Sequence, residues 1–363
     1  MKKKLNILHL EASFGWGGQE IRTLKESLGM KNLGHSVFIA VEKNGILYEK
    51  AKKAGFISYE IKFKKLFWPL SFFKLLYIMK KHKIDIINTH SSSDAWLGGI
   101  IAKLLKIKII RTRHLSTPIK KGLNSKLLYG YLADFVVTTC KEAADIIIKQ
   151  ANRNKNSCLS IPTGQDFTKL SIDPAKAKEF REKFNIKDTD FLVGTACFMR
   201  SWKGIDDLLN AAKILENNKK IKFIIVGGGH KKTYIDKAKD MNLKNVIFTG
   251  HIDNPISSIL AFDVFTLLST AHEGVSQASL QAAFLQKPLI ATPTGGLKEV
   301  CIDNQTGILV PIFSPNKIIE AILKLEKDKN LRDRYDKNAK KLASEFSQEN
   351  MIDKMSRVYV SLF

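Results

Sequence analysis

A carboxylate followed by a helical pattern and a pair of glycines makes residues 272–296 a place where chemistry could occur. Glu273 comes shortly after the apolar run Val264–Leu268, and a second apolar run, Pro288–Ala291, precedes Gly295-Gly296. A carboxylate at the start of a helix can bind sugar hydroxyls, while the free N–H groups of that helix bind phosphate. The pattern therefore indicates a nucleotide-sugar site, although a surface glutamate before an ordinary helix is the alternative.

Two cations three positions apart, Arg200 and Lys203, could bind the phosphate end of such a ligand. They follow the apolar run Phe191–Ala196 and precede a helical pattern, so they are expected at the end of a strand. Arginine binds a diphosphate as a planar fork, and lysine binds it as a point charge. Solvent-facing cations in a lysine-rich chain are the alternative, but the position after a strand favours diphosphate binding.

Two histidines, His90 and His114, each come directly after a predicted strand in the first half of the chain. Histidines at neighbouring strand ends could line one cleft and act on a bound substrate. A structural hydrogen-bonding role is equally open for each of them. No H-x-x-x-H or H-E-x-x-H motif is present, and Asp188-Thr189-Asp190 is interpreted as a turn, so no metal site is predicted.

Glycines in the loop after the first predicted strand form another candidate binding element. Gly17 and Gly18 would let the backbone approach a bound group closely, just before a helix N-terminus that favours an anion. Their spacing is not G-x-G-x-x-G, so a dinucleotide-dependent dehydrogenase is only weakly indicated. The chain also lacks G-x-x-x-x-G-K-[ST], which argues against ATP hydrolysis by a P-loop.

A basic and aromatic segment, residues 62–83, interleaves aromatic side chains with seven lysines and contains no acidic residue. This composition is typical of an interfacial helix that inserts aromatic side chains and sets lysines against anionic headgroups. A surface that stacks nucleic-acid bases would use similar residues, and packing on a sheet must account for some of the aromatics. We expect mixed use, with some aromatics buried and the loop part facing a membrane.

The 363-residue chain has a formal net charge of +24, which indicates an anionic partner such as nucleic acid, a membrane surface or a phosphorylated substrate. A generally lysine-rich surface is the alternative.

The length and the hydrophobic content of 44% predict a globular protein of two domains. The apolar run after the charged start is too short for a signal peptide, and no apolar run is long enough for a transmembrane helix. Four scattered cysteines predict free thiols in a reducing compartment.

Short apolar runs alternate with helical patterns as far as Ser314, which predicts an α/β fold with parallel, doubly wound sheets. The predicted strands are Leu5–Leu10, Ser36–Val41, Ile57–Ile61, Ile84–Thr89, Ile107–Arg111, Phe135–Thr138, Ser157–Ile161, Phe191–Ala196, Lys222–Val226, Val246–Thr249, Val264–Leu268, Pro288–Ala291 and Gly307–Val310. Pro162–Asp166 is the best boundary, and it gives two Rossmann-like domains, residues 1–165 and 166–347, with a substrate cleft expected between them. After Ser314 only helices are predicted.

In this order along the chain, the pieces resemble the retaining GT-B glycosyltransferases of family 4, and the resemblance spans nearly the whole sequence. It implies that Gly17 and Gly18 face the donor phosphate and the acceptor. It places His114 near the transferred sugar, and His90 matches a neighbouring position on the acceptor side. The resemblance also implies that the last helix, about residues 348–363, packs back on the first domain.

The sharpest marker of that family is its E-x7-E motif, whose first glutamate falls on Glu273 and would contact hydroxyls of the donor sugar. The second glutamate, which binds the ribose, falls on Gln281, so this chain departs from the family pattern. A glutamine can still donate to and accept from a ribose diol, but it loses the charge-assisted bond. The other donor-binding residues that the resemblance implies are Arg200, Lys203, Gly274, Gly295, Gly296 and Glu299.

The resemblance implies a metal-independent, anomer-retaining glycosyltransferase with His114 and Glu273 as catalytic residues. It would use a nucleotide-diphosphate sugar, need no cofactor, and act on a cell-envelope saccharide or a lipid-linked acceptor, as in lipopolysaccharide synthesis. The strings GWGGQE, THSSSD and RTRH are similar to those of envelope-polysaccharide enzymes of Gram-negative bacteria.

Such enzymes act at the inner face of the cytoplasmic membrane, so we expect a cytoplasmic, peripheral membrane protein that uses residues 62–83 and has no nucleic-acid partner. Two alternatives stay open from the sequence. One is a sugar-nucleotide epimerase of the same fold, and the other is a non-catalytic protein that binds RNA or anionic lipid.

Overall fold

The computed structural model of the protein describes residues 4–363, so Met1, Lys2 and Lys3 of the charged N-terminal run lie outside the described residues. The chain divides into two compact units. One contains the described chain up to Gly164 together with Gln348–Phe363, and the other is Gln165–Ser347.

The first unit is built on a seven-stranded parallel sheet in the order β3-β2-β1-β4-β5-β6-β7. Its strands are β1 (Asn6–Glu11), β2 (Ser36–Glu42), β3 (Ile57–Ile61), β4 (Ile86–Thr89), β5 (Lys108–Arg113), β6 (Phe135–Thr138) and β7 (Cys158–Ser160). Its helices before the second unit are α1 (Gly18–Asn32), α2 (Ile46–Lys53), α3 (Trp68–Lys81), α4 (Ser92–Leu104), α5 (Leu123–Lys126) and α6 (Lys141–Gln150). Ile7 packs into one hydrophobic cluster and Leu8 into another. Both faces of the sheet are therefore buried, which is why its strands are continuous apolar runs.

The second unit contains a six-stranded parallel sheet in the order β10-β9-β8-β11-β12-β13. Its strands are β8 (Phe191–Ala196), β9 (Ile221–Val226), β10 (Val246–Gly250), β11 (Val264–Leu267), β12 (Leu289–Ala291) and β13 (Gly307–Leu309). Its helices are α7 (Pro174–Lys183), α8 (Ile205–Ile214), α9 (Lys231–Asp240), α10 (Ile256–Ala261), α11 (Gln277–Phe284), α12 (Pro315–Lys327) and α13 (Lys329–Ser344).

The last helix, α14 (Gln348–Val360), belongs to the first unit and packs against α1. The hydroxyl of Tyr359 donates to Oε1 of Glu26 at 2.9 Å, and the amide of Asn88 donates to the same hydroxyl at 3.0 Å. Arg22 lies beside Glu26, with Nε 3.8 Å from Oε2. These side chains are fully buried, so α14 completes a polar cluster inside the first unit as well as its apolar core.

The strand order places a topological switch point in each sheet. Strand β4 pairs with β1 on the side away from β2, and β11 pairs with β8 on the side away from β9. Ligands of open α/β sheets bind outside the carboxyl ends of the strands at such points. The loops after β1, β4, β8 and β11 are therefore the expected positions of functional residues.

The thirteen strands predicted from the apolar runs are all present, with ends that differ from the prediction by at most two residues. The predicted α/β class with doubly wound parallel sheets is confirmed, as is the helical chain after Ser314. Asp188–Asp190 forms a turn in which the Asp190 carboxylate accepts the N–H of Lys187 at 2.8 Å. The four cysteines are free thiols.

The basic segment, residues 62–83, folds as a short 3-10 turn, Lys65–Phe67, followed by α3. Phe63 and Leu75 are buried on the sheet, so part of the segment is structural as predicted. The loop part is exposed at Leu66, and one face of α3 is exposed as well. That face presents Leu70 and Phe73 to solvent, while the opposite face packs on the sheet. Within residues 4–363, no helix is both long and apolar enough to cross a membrane.

Candidate active site

In the second unit, an ion pair joins the loops that follow β8 and β11. Nζ of Lys203 lies 2.6 Å from Oε2 of Glu273, and the hydroxyl of Ser269 donates to the same oxygen at 2.7 Å. The lysine and glutamate side chains are 16% and 10% exposed. The structure therefore brings two residues singled out from the sequence into direct contact, and a narrow edge of each stays open to solvent.

Glycines let the loops that carry this pair approach each other. Gly204 has a φ of +67°, and a Cβ there would overlap the carbonyl oxygen of Leu268. Gly295 has a φ of +55°, and a Cβ there would overlap the carbonyl oxygen of Glu273. Gly296 donates its N–H to that same oxygen at 3.0 Å. Because the backbones touch here, only glycine fits at positions 204 and 295.

Hydrogen bonds and a ring contact hold the same loops in place. The N–H of Thr270 donates to the carbonyl oxygen of Trp202 at 2.8 Å, and the hydroxyl of Thr292 donates to the carbonyl oxygen of Ser269. His272, just before Glu273, has a φ of +58° and packs its ring edge-on against Trp202. The chain on both sides of Glu273 is therefore held by three neighbouring loops, while Lys203 and Ser269 hold its carboxylate.

Arg200 lies on the exposed rim near this pair. Its guanidinium stacks over the rings of Phe198 and Trp202, at 5.2 and 5.1 Å from their centroids. A stacked guanidinium keeps its N–H edge available for an anion. Burial raises the pKa of the Cys197 thiol to about 11, so this neighbour of Lys203 stays protonated and uncharged at neutral pH.

The remaining predicted donor residues lie on the loops and helix after β11 and β12. Gln281 is half-buried in α11, and no described residue hydrogen-bonds to its side chain. Gly274 contacts the backbone of Gly296, which places the two loops against each other. Glu299 ends the short helical turn Leu297–Glu299 and is half-buried.

In the first unit, a buried carboxylate lies at the end of β1. Glu11 accepts hydrogen bonds from the N–H of Ser13, the amide of Gln19 and the hydroxyl of Ser91, at 2.7 to 3.0 Å. Burial raises the pKa of Glu11, and the bonds from Gln19 and Ser91 act in the opposite direction. Because Gln19 is in the first turn of α1 and Ser91 precedes α4, this carboxylate ties two helix N-termini together.

Asp94 fixes the loop between β4 and α4. Its carboxylate accepts the N–H groups of Ser91 and His90, at 2.9 and 3.2 Å, and lies 4.0 Å from the guanidinium of Arg111. Burial raises the pKa of Asp94 well above its ordinary value, and the charge of Arg111 opposes that shift. The result is a rigid chain turn at the point where His90 leaves the sheet.

Three histidines form a row across the ends of β1, β4 and β5. Nδ1 of His9 lies 2.9 Å from Nε2 of His90, and Nδ1 of His90 lies 2.9 Å from Nε2 of His114. Burial lowers the pKa of all three rings, that of His9 to about 3, so they are neutral at physiological pH. His90 is buried between the other two, and His114 is the half-exposed member of the row.

The two glycines after β1 have different surroundings. Gly17 precedes α1, and its N–H donates to Oε2 of Glu20 at 2.8 Å. Gly18, the first residue of α1, is exposed, and a Cβ added there would meet no protein atom within 4 Å. The protein itself therefore does not require glycine at position 18.

Sequence reasoning missed several of the residues that build the site in the first unit. The missed residues are His9, Glu11, Gln19, Ser91 and Asp94. Ser91 and Asp94 had the spacing of a capping box, which was a usable signal for the start of α4. His9 was visible only as a polar residue inside an apolar strand, and Gln19 had no local signal because its partners come from other elements.

The chain is similar to two protein families and to several known proteins. The family described as "Glycosyl transferases group 1" matches residues 176–342, and "Glycosyltransferase Family 4" matches residues 16–169. A glycosyltransferase of Methanocaldococcus jannaschii is 30% identical over 315 residues, which cover 81% of this chain and 79% of that protein. This chain belongs to the group 1 glycosyltransferases.

Two further comparisons place this group 1 glycosyltransferase among its relatives. An Escherichia coli protein named UDP-Gal:alpha-D-GlcNAc-diphosphoundecaprenol alpha-1,3-galactosyltransferase is 29% identical over 310 residues, covering 81% of this chain and 79% of that protein. The crystal structure of a glycosyltransferase from Rickettsia africae superposes with a TM-score of 0.87 at 21% identity, covering 98% of each chain. The predicted GT-B fold is therefore confirmed.

Family membership identifies the protein as an enzyme, a glycosyltransferase. It therefore argues against the alternative of a non-catalytic binding protein. Among residues 4–363, no group of three or more His, Cys, Asp or Glu side chains is placed to hold a metal ion.

Replacing Gly295 tests whether loop contact holds Glu273 in place. Gly295→Ala adds a Cβ that overlaps the Glu273 carbonyl oxygen at a left-handed φ, so we expect the free energy of unfolding to fall by about 1–3 kcal/mol. Urea unfolding of the whole chain measures this. The matched control is Gly228→Ala, where the nearest atom is the Cβ of His251 at 3.7 Å. Equal effects of the two substitutions would contradict the role given to Gly295.

Proposed function

We propose that this glycosyltransferase moves a sugar from a nucleotide-diphosphate sugar to a hydroxyl of a lipid-linked or other cell-envelope saccharide, with retention of anomeric configuration and without a metal ion. The contact between Lys203 and Glu273 at the ends of adjacent strands carries this proposal. A nucleotide sugar has an anionic diphosphate next to a ring of hydroxyl donors. A cation beside a carboxylate matches those two neighbouring groups.

Donor binding exchanges the partners of the ion pair. The diphosphate accepts hydrogen bonds from Nζ of Lys203, and sugar hydroxyls donate to Glu273, while the Ser269 hydroxyl keeps its bond to Oε2. Leaving one buried charge without its partner would cost about 3–5 kcal/mol. A donor that supplies both new partners avoids this cost, whereas a free sugar or a free phosphate supplies only one.

The transfer breaks the bond between the anomeric carbon and the phosphate oxygen and forms a bond from that carbon to the acceptor oxygen on the same face of the ring. The proton of the acceptor hydroxyl passes to the leaving phosphate oxygen. Lys203 stabilises the negative charge that develops on the diphosphate. Glu273 orients the sugar ring, and His114 hydrogen-bonds the reacting sugar.

Protein cations supply the positive charge that a metal ion would otherwise provide. Lys203 is in the protected pair, and Arg200 has its N–H edge free of the aromatic rings on which it stacks. Together these two cations can stabilise the negative charge of the departing nucleotide diphosphate. We therefore expect transfer to continue in the presence of a chelator.

Gly18 supports close approach of a ligand to the N-terminus of α1. No protein atom lies within 4 Å of the position that a Cβ would take, so this face of the helix start is open to a ligand. The N-terminus of α1, a helix of 15 residues, carries partial positive charge and free N–H groups. We assign this position to a phosphate of the donor or of the acceptor.

Gln281 is assigned to the ribose of the donor. Its half-buried amide can accept one ribose hydroxyl and donate to the other, without the charge that a glutamate would bring. The protein therefore holds its nucleotide with neutral hydrogen bonds at this position, which are weaker than bonds to an ionised group.

The exposed face of α3 supports a lipid-linked acceptor and a peripheral position at the inner face of the cytoplasmic membrane. Leu66, Leu70, Phe73 and Tyr77 are 84%, 76%, 68% and 60% exposed. Leu66 lies in the short 3-10 turn before α3. The spacing of three and four residues between Leu70, Phe73 and Tyr77 puts these three side chains on one side of the helix. They lie among the seven lysines of residues 62–83, a combination that inserts apolar side chains below anionic headgroups.

The central test measures transfer by the purified protein with a panel of nucleotide-diphosphate sugars and lipid-linked or saccharide acceptors. A donor that binds should raise the melting temperature, which selects it from the panel. Lys203→Ala and Glu273→Ala should each lower the rate by about 100-fold or more. The control variants, Lys213→Ala and Glu216→Ala, remove a surface ion pair of the same unit.

Three results would contradict parts of the proposal. Consumption of a nucleotide sugar with release of an epimerised sugar and no acceptor product would favour the epimerase. Loss of transfer on addition of a chelator, with recovery on addition of a divalent ion, would overturn metal independence. An inverted anomeric centre in the product, read by NMR, would overturn retention.

Restoring the glutamate of the family motif should tighten nucleotide binding. Gln281→Glu converts neutral hydrogen bonds to the ribose into charge-assisted ones, so we expect the Kd of the free nucleoside diphosphate to fall about 3- to 10-fold. Calorimetric titration measures this. Gln305→Glu, an exposed position in the same unit, makes the same change in charge and should leave the Kd unchanged. Equal Kd values for wild type and Gln281→Glu would argue against a ribose contact.

Adding acids to the exposed face of α3 should weaken membrane binding. The double variant Leu70→Asp/Phe73→Asp should lose most of its co-flotation with phosphatidylglycerol vesicles. The control, Leu33→Asp/Phe313→Asp, changes exposed residues of the same types by the same charge at positions outside α3. Equal loss in both variants would mean that net charge alone drives binding, and no loss in either would exclude the α3 face.

A further inference from the structure

The row of His9, His90 and His114 runs from a half-exposed position into the interior of the first unit. Two hydrogen bonds, both 2.9 Å long, join the three rings. Each of these bonds needs an N–H on one ring and a lone pair on the next. A neutral imidazole has one of each, so the position of the proton on any ring determines its position on the other two.

Only two arrangements satisfy both hydrogen bonds. In one, His9 donates to His90 and His90 donates to His114, so all three rings carry the proton on Nδ1. In the other, donation runs in the opposite direction and all three rings carry it on Nε2. No described residue hydrogen-bonds to Nδ1 of His114, so this nitrogen presents either an N–H or a lone pair to a substrate.

The buried end of the row favours one arrangement. Nε2 of His9 is buried and has no hydrogen-bond partner among the described residues. In protein backbones an orphaned buried N–H is rarer than an under-satisfied carbonyl, and we apply the same preference to this ring nitrogen. A lone pair is therefore favoured on Nε2 of His9, and the proton is on Nδ1.

The backbone holds His9 and His90 in place. His9 is in β1, directly opposite Asn88 of the neighbouring β4, so its position is fixed by the sheet. The His9 and His90 rings are parallel within 9°, with centroids 5.3 Å apart. The N–H of His90 donates to Leu10 and to Asp94, which anchors the middle ring at the strand end.

We propose that His9 and His90 are positioning residues that fix the tautomer of His114, so that His114 presents the N–H of Nδ1 to an oxygen of the reacting sugar. Neither His9 nor His90 touches the substrate. The effect of this row on the rate of transfer rests on the proposed function, whereas the assignment of the tautomers does not depend on it.

The tautomers can be measured by NMR on the full chain labelled with 15N-histidine. Long-range 1H–15N correlations distinguish protonated from unprotonated ring nitrogens, and single histidine substitutions assign the signals. We expect His9, His90 and His114 all to be protonated on Nδ1. A proton on Nε2 of His114, or different tautomers within the row, would overturn the proposal even if the enzyme transfers sugar as proposed.

Substitution of His9 tests its action at a distance. His9→Leu removes the donor to His90, and we expect kcat to fall about 10- to 100-fold, the size of effect found when a residue that orients a metal-bound histidine is replaced, with little change in the KM of the donor. His9→Asn places an amide N–H where Nδ1–H was, and it should recover most of kcat and the Nδ1 proton of His114.

His35→Leu is the matched control, because His35 is another buried histidine of the same unit, bonded to the N–H of Leu5 at 3.1 Å. Melting temperatures separate loss of folding from loss of the row. A fall in kcat for His9→Leu without a change in the His114 tautomer would reduce His9 to a packing residue. If the wild type transfers no sugar, the proposed function fails, and the NMR result still decides the tautomers.

Discussion

The second unit depends on the contact of backbone with backbone around the end of β11. Gly204 lies against the carbonyl of Leu268, and Gly295 lies against the carbonyl of Glu273, at separations that leave no room for a side chain. Without this approach the loop after β8 could not deliver Lys203 to the carboxylate. The ion pair between Lys203 and Glu273 thus depends on close packing of the loops, because the two side chains would not be in contact if the loops were farther apart.

The first unit has the same type of strand order, but different forces hold its loops. Its strand ends are joined by buried polar side chains, in which Glu11 receives bonds from two helix N-termini and Asp94 holds the turn after β4. Burial raises the pKa of both carboxyls, because their ionised forms lose solvation inside the protein. Such groups are tolerated when their hydrogen bonds are satisfied. Asp94 thereby holds the chain turn at His90, the middle residue of the histidine row.

The sequence was sufficient to predict the strands, because a strand covered on both faces is a continuous apolar run and two sheets of this kind were expected from the alternation. It also indicated that Lys203 and Glu273 follow strands. It did not indicate that they touch, because their contact depends on glycine-mediated approach of loops 70 residues apart. The polar cluster around Glu11 was missed for a similar reason, since Ser91 reaches it from a distant part of the chain. Which side of α3 is exposed was not predicted, because aromatic content alone does not reveal which side of a helix meets the sheet.

The placement of α14 has a consequence for the order in which the molecule can be assembled during synthesis. The second unit is one continuous segment, whereas the first lacks part of its interior until residues 348–363 have been made. Until then, Glu26 and Asn88 have no Tyr359 hydroxyl, and the apolar side chains that meet Met355 have no cover. The first unit is therefore completed only after the whole second unit has been made, and until then its uncovered apolar surface favours aggregation of the nascent chain.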